Sequence, residues 1–279
     1  MAETLTYEVD ERVARITLNR PERGNGITLA MPRELSDAVE QANLDPAVHV
    51  IALAGNGKGF CGGYDLVEYA EARPPGHDPS APWDPVVDWQ MMSRNLRGFM
   101  SLFHSEKPTV CKVHGFCVAG GTDLALCSDL LVIADDARIG YPPARVWGVP
   151  TSMLWAWRVG PERAKRLLFT GDLLSGREAA DWGLALESHP PAELDGRFEE
   201  LAQRIALTPV NQLVMHKLAV NQALHAQGLH ATQTMSVFFD GIARHTPEGY
   251  AFQQRAAEAG FKQAVRERDE PYGDAKPDR

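Results

Sequence analysis

Asp123 follows Gly120 closely in a stretch, residues 110–126, whose pattern predicts a buried strand, a glycine turn and the first turns of a helix. The amides around Gly120 would lie at the helix N-terminus without an intrahelical acceptor, where they and the helix dipole stabilise negative charge developing on an oxygen. Asp123 would lie in the first helical turn, where the dipole favours its ionised form. A carboxylate beside such donors suits a general base. The alternative is that Gly120 and Gly121 form a tight strand-to-helix joint and Asp123 only caps the helix.

A second stretch, residues 52–66, has the same order of an apolar strand, a glycine-rich turn and a helical pattern. Together the two stretches resemble the signatures of the crotonase, or enoyl-CoA hydratase/isomerase, superfamily. The first signature is carried by Lys58, Phe60, Gly63, Asp65 and Leu66. The second is carried by Val113, Gly115, Gly120, Gly121, Leu124 and Ala125, with Asp123 where the family most often has glutamate. The resemblance extends from about residue 6 to residue 271.

This resemblance implies a site for a coenzyme A thioester. In the family two backbone amides form an oxyanion hole for the thioester carbonyl, and the matching positions here are Tyr64 and Gly120, with Asp123 as the base. The ring of Tyr64 would line the pocket, or it is an ordinary surface or core aromatic. The residues that the resemblance places around the substrate are Arg23, Cys61, Gly63, Asp65, Leu66, Tyr141, Phe261 and Lys262.

Several of these residues have an equally simple structural interpretation. Arg23 follows the Arg-Pro pair of a loop that touches the nucleotide in the family, but it also fits an ordinary solvated arginine. Phe261 and Lys262 fall where one subunit helps to enclose a neighbour's coenzyme A, yet they fit a core aromatic and a surface lysine. Trp83 and Trp89 would form apolar pocket wall or would anchor an irregular loop that has five prolines between residues 74 and 85.

Two departures from the family pattern bear on the reaction. Aspartate at position 123 is one methylene shorter than glutamate, and a misplacement of that size costs about a hundredfold in rate. The family's hydratases also carry a second glutamate, which would fall at Pro143 or Ala144, and neither residue titrates. A single base can still move a proton within an acyl chain. Tyr141 is a nearby hydrogen-bond donor, and Arg145 would hold a carboxylate of the substrate or of the protein.

The order of elements predicts an α/β fold, which the resemblance specifies as a crotonase-like ββα spiral with two roughly perpendicular sheets. Strands are predicted at 6–10 and 13–19 with a hairpin between them, and at 48–54 and 130–134. Helices are predicted at 32–43, from 65 to about 72, and at 88–105. Beyond residue 160 only helices are expected, at 161–169, 175–182, 190–206, 209–225, 233–244 and 247–267. Residues 1–205 would form the core and 206–279 a helical region that, by resemblance, assembles trimers or dimers of trimers.

The composition fits an enzyme and argues against a nucleic-acid-binding protein or a membrane protein. The formal net charge of −9 argues against non-specific binding to nucleic acid or to an anionic membrane. We find no apolar run approaching a membrane span of about 20 residues and no signal-peptide pattern. The four cysteines form no Cys-x-x-Cys pair, so free thiols, no metal site and a cytoplasmic location are expected; Cys61 or Cys117 as a nucleophile is the less favoured alternative.

The sequence therefore predicts an acyl-CoA-processing enzyme of the hydratase/isomerase type. Its reaction would need no metal or redox cofactor, because coenzyme A is part of the substrate. The alternative is a non-catalytic acyl-CoA-binding paralogue that kept the fold and lost the second acid. A serine hydrolase is disfavoured, since the chain has no Gly-x-Ser-x-Gly elbow.

Overall fold

A six-stranded sheet lies at the centre of the computed structural model, which describes residues 4–66, 68–69 and 82–273. Its strands, in spatial order, are β1 (Leu5–Asp10), β2 (Val13–Leu18), β3 (Val50–Gly55), β4 (Thr109–Val113), β6 (Leu130–Ala134) and β9 (Glu187–His189). The first two strands are antiparallel, as the predicted hairpin requires, and the other neighbours are parallel. Strands β3, β4 and β6 are almost wholly apolar, which suits parallel strands covered on both faces.

A smaller sheet of three strands stands beside the first, so the expectation of two sheets is confirmed. It contains β5 (Phe116–Val118), β7 (Arg138–Gly140) and β8 (Leu173–Ser175), in that spatial order. The expectation of helices alone beyond residue 160 was wrong, because β8 and β9 lie there; each has only three residues, too few to show an alternating pattern. The chain passes from one sheet to the other at Gly115, whose φ is +59°. A β-carbon there would lie 1.9 Å from the carbonyl oxygen of Lys58, so only glycine fits this crossing.

Ten helices are present in the described residues. They are α1 (Met31–Leu44), α2 (Pro85–His104), α3 (Gly120–Leu126), α4 (Trp155–Thr170), α5 (Gly176–Trp182), α6 (Pro191–Ala206), α7 (Val210–Ala226), α8 (Leu229–Arg244), α9 (Pro247–Ala259) and α10 (Phe261–Asp269). Short 3₁₀ helices occupy Pro21–Arg23, Pro142–Arg145 and Glu270–Tyr272. The helix predicted from residue 65 to about 72 lies largely outside the described residues.

Glycines account for two differences from the predicted helices. The single helix expected at 247–267 is two helices, because Gly260 has φ +85° and interrupts the pattern. Helix α4 begins at Trp155, before the predicted start at residue 161. Its first turn was not predicted because Gly160, with φ +76°, interrupts the helical pattern. The capping box predicted at the start of α5 is confirmed, since Ser175 and Glu178 exchange both of its hydrogen bonds.

The C-terminal helices pack on the core in two places. From α7, the buried ammonium of Lys217 donates to the carbonyl oxygens of Leu102 and Lys107 and lies 2.8 Å from Asp129. Helix α8 lies along α2 and contributes Val237 to the main core. Helices α9 and α10 form a separate small cluster, in which Phe252 and Ala264 pack against Trp147. Within the described ranges, no helix is long and apolar enough to cross a bilayer.

Candidate active site

The amides of Tyr64 and Gly120 are both directed away from the regular hydrogen bonding of the chain. Tyr64 faces Ile27 in an isolated parallel bridge, whose two bonds join Ile27 to Gly63 and Asp65, both at 2.9 Å. The N–H of Tyr64 therefore points to the other side. Gly120 is the first residue of α3 and has no acceptor inside the helix. Neither amide donates to a backbone carbonyl in the described part of the chain.

Close contacts bring these two amides together. A β-carbon added to Gly63 would lie 3.4 Å from the Gly120 nitrogen, and one added to Gly120 would lie 2.8 Å from Cε2 of Tyr64. The Tyr64 ring thus covers Gly120 and meets Tyr69 edge-on, with ring centroids 4.8 Å apart. Gly121 is equally constrained, because its β-carbon would lie 2.4 Å from the carbonyl oxygen of Cys61. The alternative interpretation, in which Gly120 and Gly121 form a tight strand-to-helix joint, also fits this arrangement. A joint of this kind leaves the Gly120 amide without a backbone acceptor.

Ala119 adopts a strained backbone conformation just before this amide. Its φ of 55° and ψ of −130° are rare for a residue with a side chain and cost about 1–3 kcal/mol. The Ala119 N–H donates to the carbonyl oxygen of Gly140 at 3.0 Å, which holds the turn between β5 and α3. Such strain is typical of functional sites, and here it sets the direction of the Gly120 N–H.

Asp123 lies one helical turn further on, with 1 % of its surface exposed. Its Oδ2 accepts from the backbone N–H and hydroxyl of Thr151, at 3.0 and 3.3 Å. Its Oδ1 accepts from the backbone N–H and hydroxyl of Ser152, at 3.2 and 2.6 Å. Burial raises the pKa of Asp123 to about 6, although the hydrogen bonds from Ser152 and Thr151 act to lower it. The group is therefore a carboxylate at neutral pH that accepts a proton readily.

Thr151 and Ser152 were not singled out by the sequence analysis. The only signal for them was a pair of hydroxyl residues after Pro150, in a stretch with no element of its own. They approach Asp123 across the fold because α3 and the segment after the 3₁₀ helix Pro142–Arg145 meet there.

A second buried carboxylate, Asp240 of α8, lies near Asp123. Its Oδ1 accepts from the Val149 N–H at 3.1 Å, and its Oδ2 accepts from Arg244. Its negative charge contributes to the raised pKa of Asp123, although burial is the larger cause. Asp240 belongs to a helix that was predicted only as part of the C-terminal region.

Tyr141 is buried close to both carboxylates. Burial first, then the charges of Asp240 and Asp123, raise the pKa of its hydroxyl well above the usual range. It is therefore a neutral hydrogen-bond donor. Arg145 instead holds a carboxylate of the protein: its Nη1 donates to Asp269 at 2.8 Å, and its guanidinium stacks 4.1 Å above the ring of Tyr272.

Asp65 and Arg23 form an ion pair at the start of the loop. Asp65 is buried and accepts from Arg20 at 2.9 Å and from Arg23 at 3.0 Å. The Arg23 side chain is 45 % exposed beside Asp65, the residue that follows Tyr64. Gly63 has φ +99°, and Leu66 is partly buried. Contact of these residues with a nucleotide remains a prediction.

Cys61 is fully buried, and its thiol donates to the carbonyl oxygen of Asn25 at 3.1 Å. Burial raises its pKa to about 12, and burial also raises the pKa of Cys117. Neither thiol is a thiolate at neutral pH, so the nucleophile alternative gains no support. Cys61 stabilises the glycine loop instead, opposite Cys117 in a parallel bridge.

The other aromatic residues lie around the helices that enclose the site. Trp83 stacks on His245 with centroids 4.3 Å apart, and Trp89 stacks on Phe238 at 5.5 Å. Both contacts fit the loop-anchor interpretation, while the proline-rich residues 70–81 lie outside the described chain. Phe261 packs against Trp147 of its own chain, and Lys262 is exposed. Their contact with a neighbouring subunit's ligand is untested.

Comparisons with known proteins agree with this arrangement. The family model described as enoyl-CoA hydratase/isomerase matches residues 8–253. A crystal structure of enoyl-CoA hydratase from Mycobacterium smegmatis is 59 % identical, with a TM-score of 0.93 over 98 % of this chain and 96 % of that chain. A putative enoyl-CoA hydratase, EchA13, of Mycobacterium tuberculosis is 33 % identical over 82 % of this chain and 77 % of its own length. A hydroxycinnamoyl-CoA hydratase-lyase of Pseudomonas fluorescens is 31 % identical over 72 % of each.

The fold neighbours confirm the crotonase-type fold, and the family match covers both glycine motifs and the helices up to α9. With an α/β core, two unpaired amides and a buried acid in the order that the family's signatures imply, the chain belongs to the enoyl-CoA hydratase/isomerase family.

Proposed function

We propose that this protein is an acyl-CoA-processing enzyme in which the N–H groups of Tyr64 and Gly120 bind a thioester carbonyl and Asp123 is the base. The observation that carries the proposal is the position of a buried carboxylate, with its pKa raised to about 6, one helical turn after an unpaired amide. An amide pair alone would fit a binding protein. An acid of that pKa beside it is suited to proton transfer at neutral pH.

In this proposal Asp123 removes a proton from the carbon next to the thioester carbonyl. The electron pair left behind is delocalised onto the carbonyl oxygen, and the two amides stabilise the enolate. Returning the same proton at the far end of the conjugated system moves the double bond, so a 3-enoyl thioester becomes a 2-enoyl thioester with no atom gained or lost. The reaction uses no metal ion and no redox cofactor, and coenzyme A is part of the substrate.

Isomerisation is favoured over addition of water because water addition needs an acidic pair. Pro143 and Ala144 supply no second acid, and both oxygens of Asp240 are already engaged by Val149 and Arg244. Of the bonds to Asp123, the one from the Thr151 hydroxyl is the longest, at 3.3 Å. Rotation of that hydroxyl frees a lone pair on Oδ2 for the substrate proton.

A second candidate function is a non-catalytic acyl-CoA-binding paralogue. The observation that favours it is that both Asp123 oxygens accept two hydrogen bonds each from Thr151 and Ser152. A carboxylate that is fully engaged with its own chain is a structural group. The oxyanion amides and the loop around Arg23 would then serve binding alone.

We further propose self-association as a trimer or a dimer of trimers, in the cytoplasm. Helices α7 and α8 expose large apolar side chains, which are more stable when covered by another subunit. They include Met215, Leu218, Val220, Phe239 and Ile242. All four cysteines are free and buried, which suits a reducing compartment. A monodisperse monomer by light scattering at micromolar concentration would contradict the assembly.

The decisive assay follows crotonyl-CoA, longer 2-enoyl-CoA and 3-enoyl-CoA spectroscopically with the parent, Asp123→Asn and the exposed control Asp195→Asn. We expect the parent and the control to convert a 3-enoyl substrate and Asp123→Asn to lose that turnover. Calorimetric titration with coenzyme A tests the binding that both candidates require, and turnover separates them. Binding without turnover of any substrate would favour the paralogue, and no binding at millimolar ligand would overturn both.

A further inference from the structure

Residues 149–152 form a strap that connects Asp123 of α3 to helix α8. Pro150 has no N–H, so the strap has three backbone donors, and each of them binds a carboxylate. Val149 donates to Asp240 at 3.1 Å, while Thr151 and Ser152 donate to Asp123 at 3.0 and 3.2 Å. The backbone donors of the strap thus bind carboxylates on two helices. Helix α3 carries the proposed base, whereas α8 carries none of the site residues predicted from the sequence.

Helix α8 binds the strap at both ends. Asp240 accepts from Val149, and the buried amide of Gln233 donates to the carbonyl oxygen of Ser152 at 3.0 Å. Gln233 and Asp240 are two helical turns apart, so their side chains lie on the same face of α8. The separation of Gln233 and Asp240 along α8 matches the length of the strap. Their two contacts hold the amides and hydroxyls of Thr151 and Ser152 toward Asp123.

Asp240 is in turn anchored to helix α2. Arg244, one turn further along α8, donates to Asp240 and also to Asp88 of α2, the latter at 2.5 Å. Asp88 also accepts from the indole of Trp83 at 3.2 Å. Asp88 and Asp240 are 1 % and 4 % exposed. Asp88 and Asp240 therefore share one guanidinium in the interior, beside Asp123.

We propose that Asp240 and Gln233 are positioning residues for Asp123, acting through the strap that both of them bind. The inference rests on the proposed function, because it takes Asp123 as the base. Asp240 has a second effect, since its charge opposes ionisation of Asp123. Gln233 is neutral and acts on geometry alone. The two residues should therefore affect Asp123 differently when each is replaced.

Apart from the His245 ring, the described ionisable groups that face the two carboxylates are neutral or fixed in charge. Burial raises the pKa of the hydroxyls and thiols that face Asp123 or Asp240, so these groups stay protonated near neutral pH; they are Tyr64, Tyr141, Cys117 and Cys127. Arg244 carries a positive charge, and Asp88 faces it from α2. The His245 ring lies 3.9 Å from Asp88 and is a further ionisable neighbour of this cluster.

The test compares Asp240→Asn and Gln233→Leu with the control Asp135→Asn, which removes a carboxylate that is paired with Arg177 and accepts no hydrogen bond from the strap. Carbon-13 NMR of labelled aspartate carboxyls measures the titration midpoint of Asp123 directly, and its signal is assigned by its loss in Asp123→Asn. Asparagine at 240 still accepts from Val149 but carries no charge, so the midpoint should move to lower pH. Leucine at 233 releases the strap and weakens the donors on Asp123, so the midpoint should move to higher pH. The control should leave it unchanged.

Kinetics give a second readout. In Asp240→Asn the acid limb of kcat/KM should move to lower pH, and in Gln233→Leu kcat should fall by about tenfold while KM stays within about twofold, because the base is displaced and binding is not. A midpoint that stays at the parent value in Gln233→Leu would overturn the inference even if Asp240→Asn shifts it, because Asp240→Asn keeps the Val149 hydrogen bond and removes a charge. If Asp240→Asn does not fold, Gln233→Leu decides alone. If the parent turns over no enoyl substrate, the proposed function fails, and the NMR midpoints still decide the role of the strap.

Discussion

The hydroxyl of Ser152 donates to Oδ1 of Asp123 at 2.6 Å, the shortest of the hydrogen bonds on that carboxylate. A donor to a carboxylate favours its ionised form, and the Ser152 hydroxyl is the strongest of the influences that oppose the effect of burial on the pKa of Asp123. Ser152 therefore favours the ionised form of Asp123, which is the form that the proposed role as a base requires.

Ser152→Ala should raise the pKa of Asp123 above about 6 and move the acid limb of the pH–rate profile to higher pH. Loss of one hydrogen bond to a charged group costs about 1.5–3 kcal/mol, so kcat/KM at pH 6 should fall at least about tenfold. Ser101→Ala is the matched control, because that hydroxyl donates to the Gly98 carbonyl within α2. An acid limb that stayed at the parent position would show that Ser152 does not tune this carboxylate.

Gly120→Ala tests the close packing of the oxyanion turn. The new methyl group would lie 2.8 Å from Cε2 of Tyr64 and 3.0 Å from Cδ1 of Ile27, so the ring and the amide must move apart. Overpacking of this kind costs about 1–3 kcal/mol in the free energy of unfolding, and turnover should be lost. Gly196→Ala in α6 is the control, since nothing lies within 4 Å of its β-carbon. Full turnover by Gly120→Ala would refute the assignment of this amide.

Ala119→Gly tests the strain that precedes the Gly120 amide. Glycine adopts φ 55° without steric cost, so chemical denaturation should show a gain of about 1 kcal/mol in the free energy of unfolding. Ala223→Gly on the exposed face of α7 should instead lose about 1 kcal/mol. Lower turnover in Ala119→Gly would mean that the strained alanine fixes the direction of the amide, and a loss of stability would mean that the conformation is not strained.

The pH dependence of stability follows from the burial of Asp123. Its pKa is raised from 3.8 to about 6 in the folded chain, so the folded state binds the extra proton between these pH values. Its contribution to the free energy of unfolding therefore falls as pH rises from about 4 to about 6, by about 2–3 kcal/mol in all. Asp123→Asn removes this dependence. We therefore expect the unfolding free energy of the parent, minus that of Asp123→Asn, to fall as pH rises from 4.5 to 7.5. A difference that stayed constant over this range would contradict the raised pKa.

Local constraints made part of this structure predictable. The hairpin β1–β2, the capping box of α5 and the glycine turns depend on neighbouring residues, and their residue types indicated them directly. The pairing of the Tyr64 and Gly120 amides was implied by the resemblance of the two glycine motifs to the family's signatures, and the close contacts between their segments are ones that only glycine permits. The break between α9 and α10 was missed because an isolated Gly260 is tolerated within a helical pattern.

The groups that hold Asp123 could not be predicted in this way. Thr151 and Ser152 belong to a segment without periodicity, and Gln233 and Asp240 are polar positions on a helix whose burial depends on its packing against α2. Such contacts join residues far apart in the sequence, and no local pattern records which ones meet. The absence of a second glutamate was visible in the sequence, whereas the presence of a second carboxylate from α8 was not.

Arg145 joins the 3₁₀ helix Pro142–Arg145 to the end of the described chain, through Asp269 and the ring of Tyr272, with no exposed surface on its side chain. This contact links the evolution of two segments that are distant in sequence. Relatives that keep an arginine at this position should keep an acidic residue and an aromatic ring at the positions of Asp269 and Tyr272.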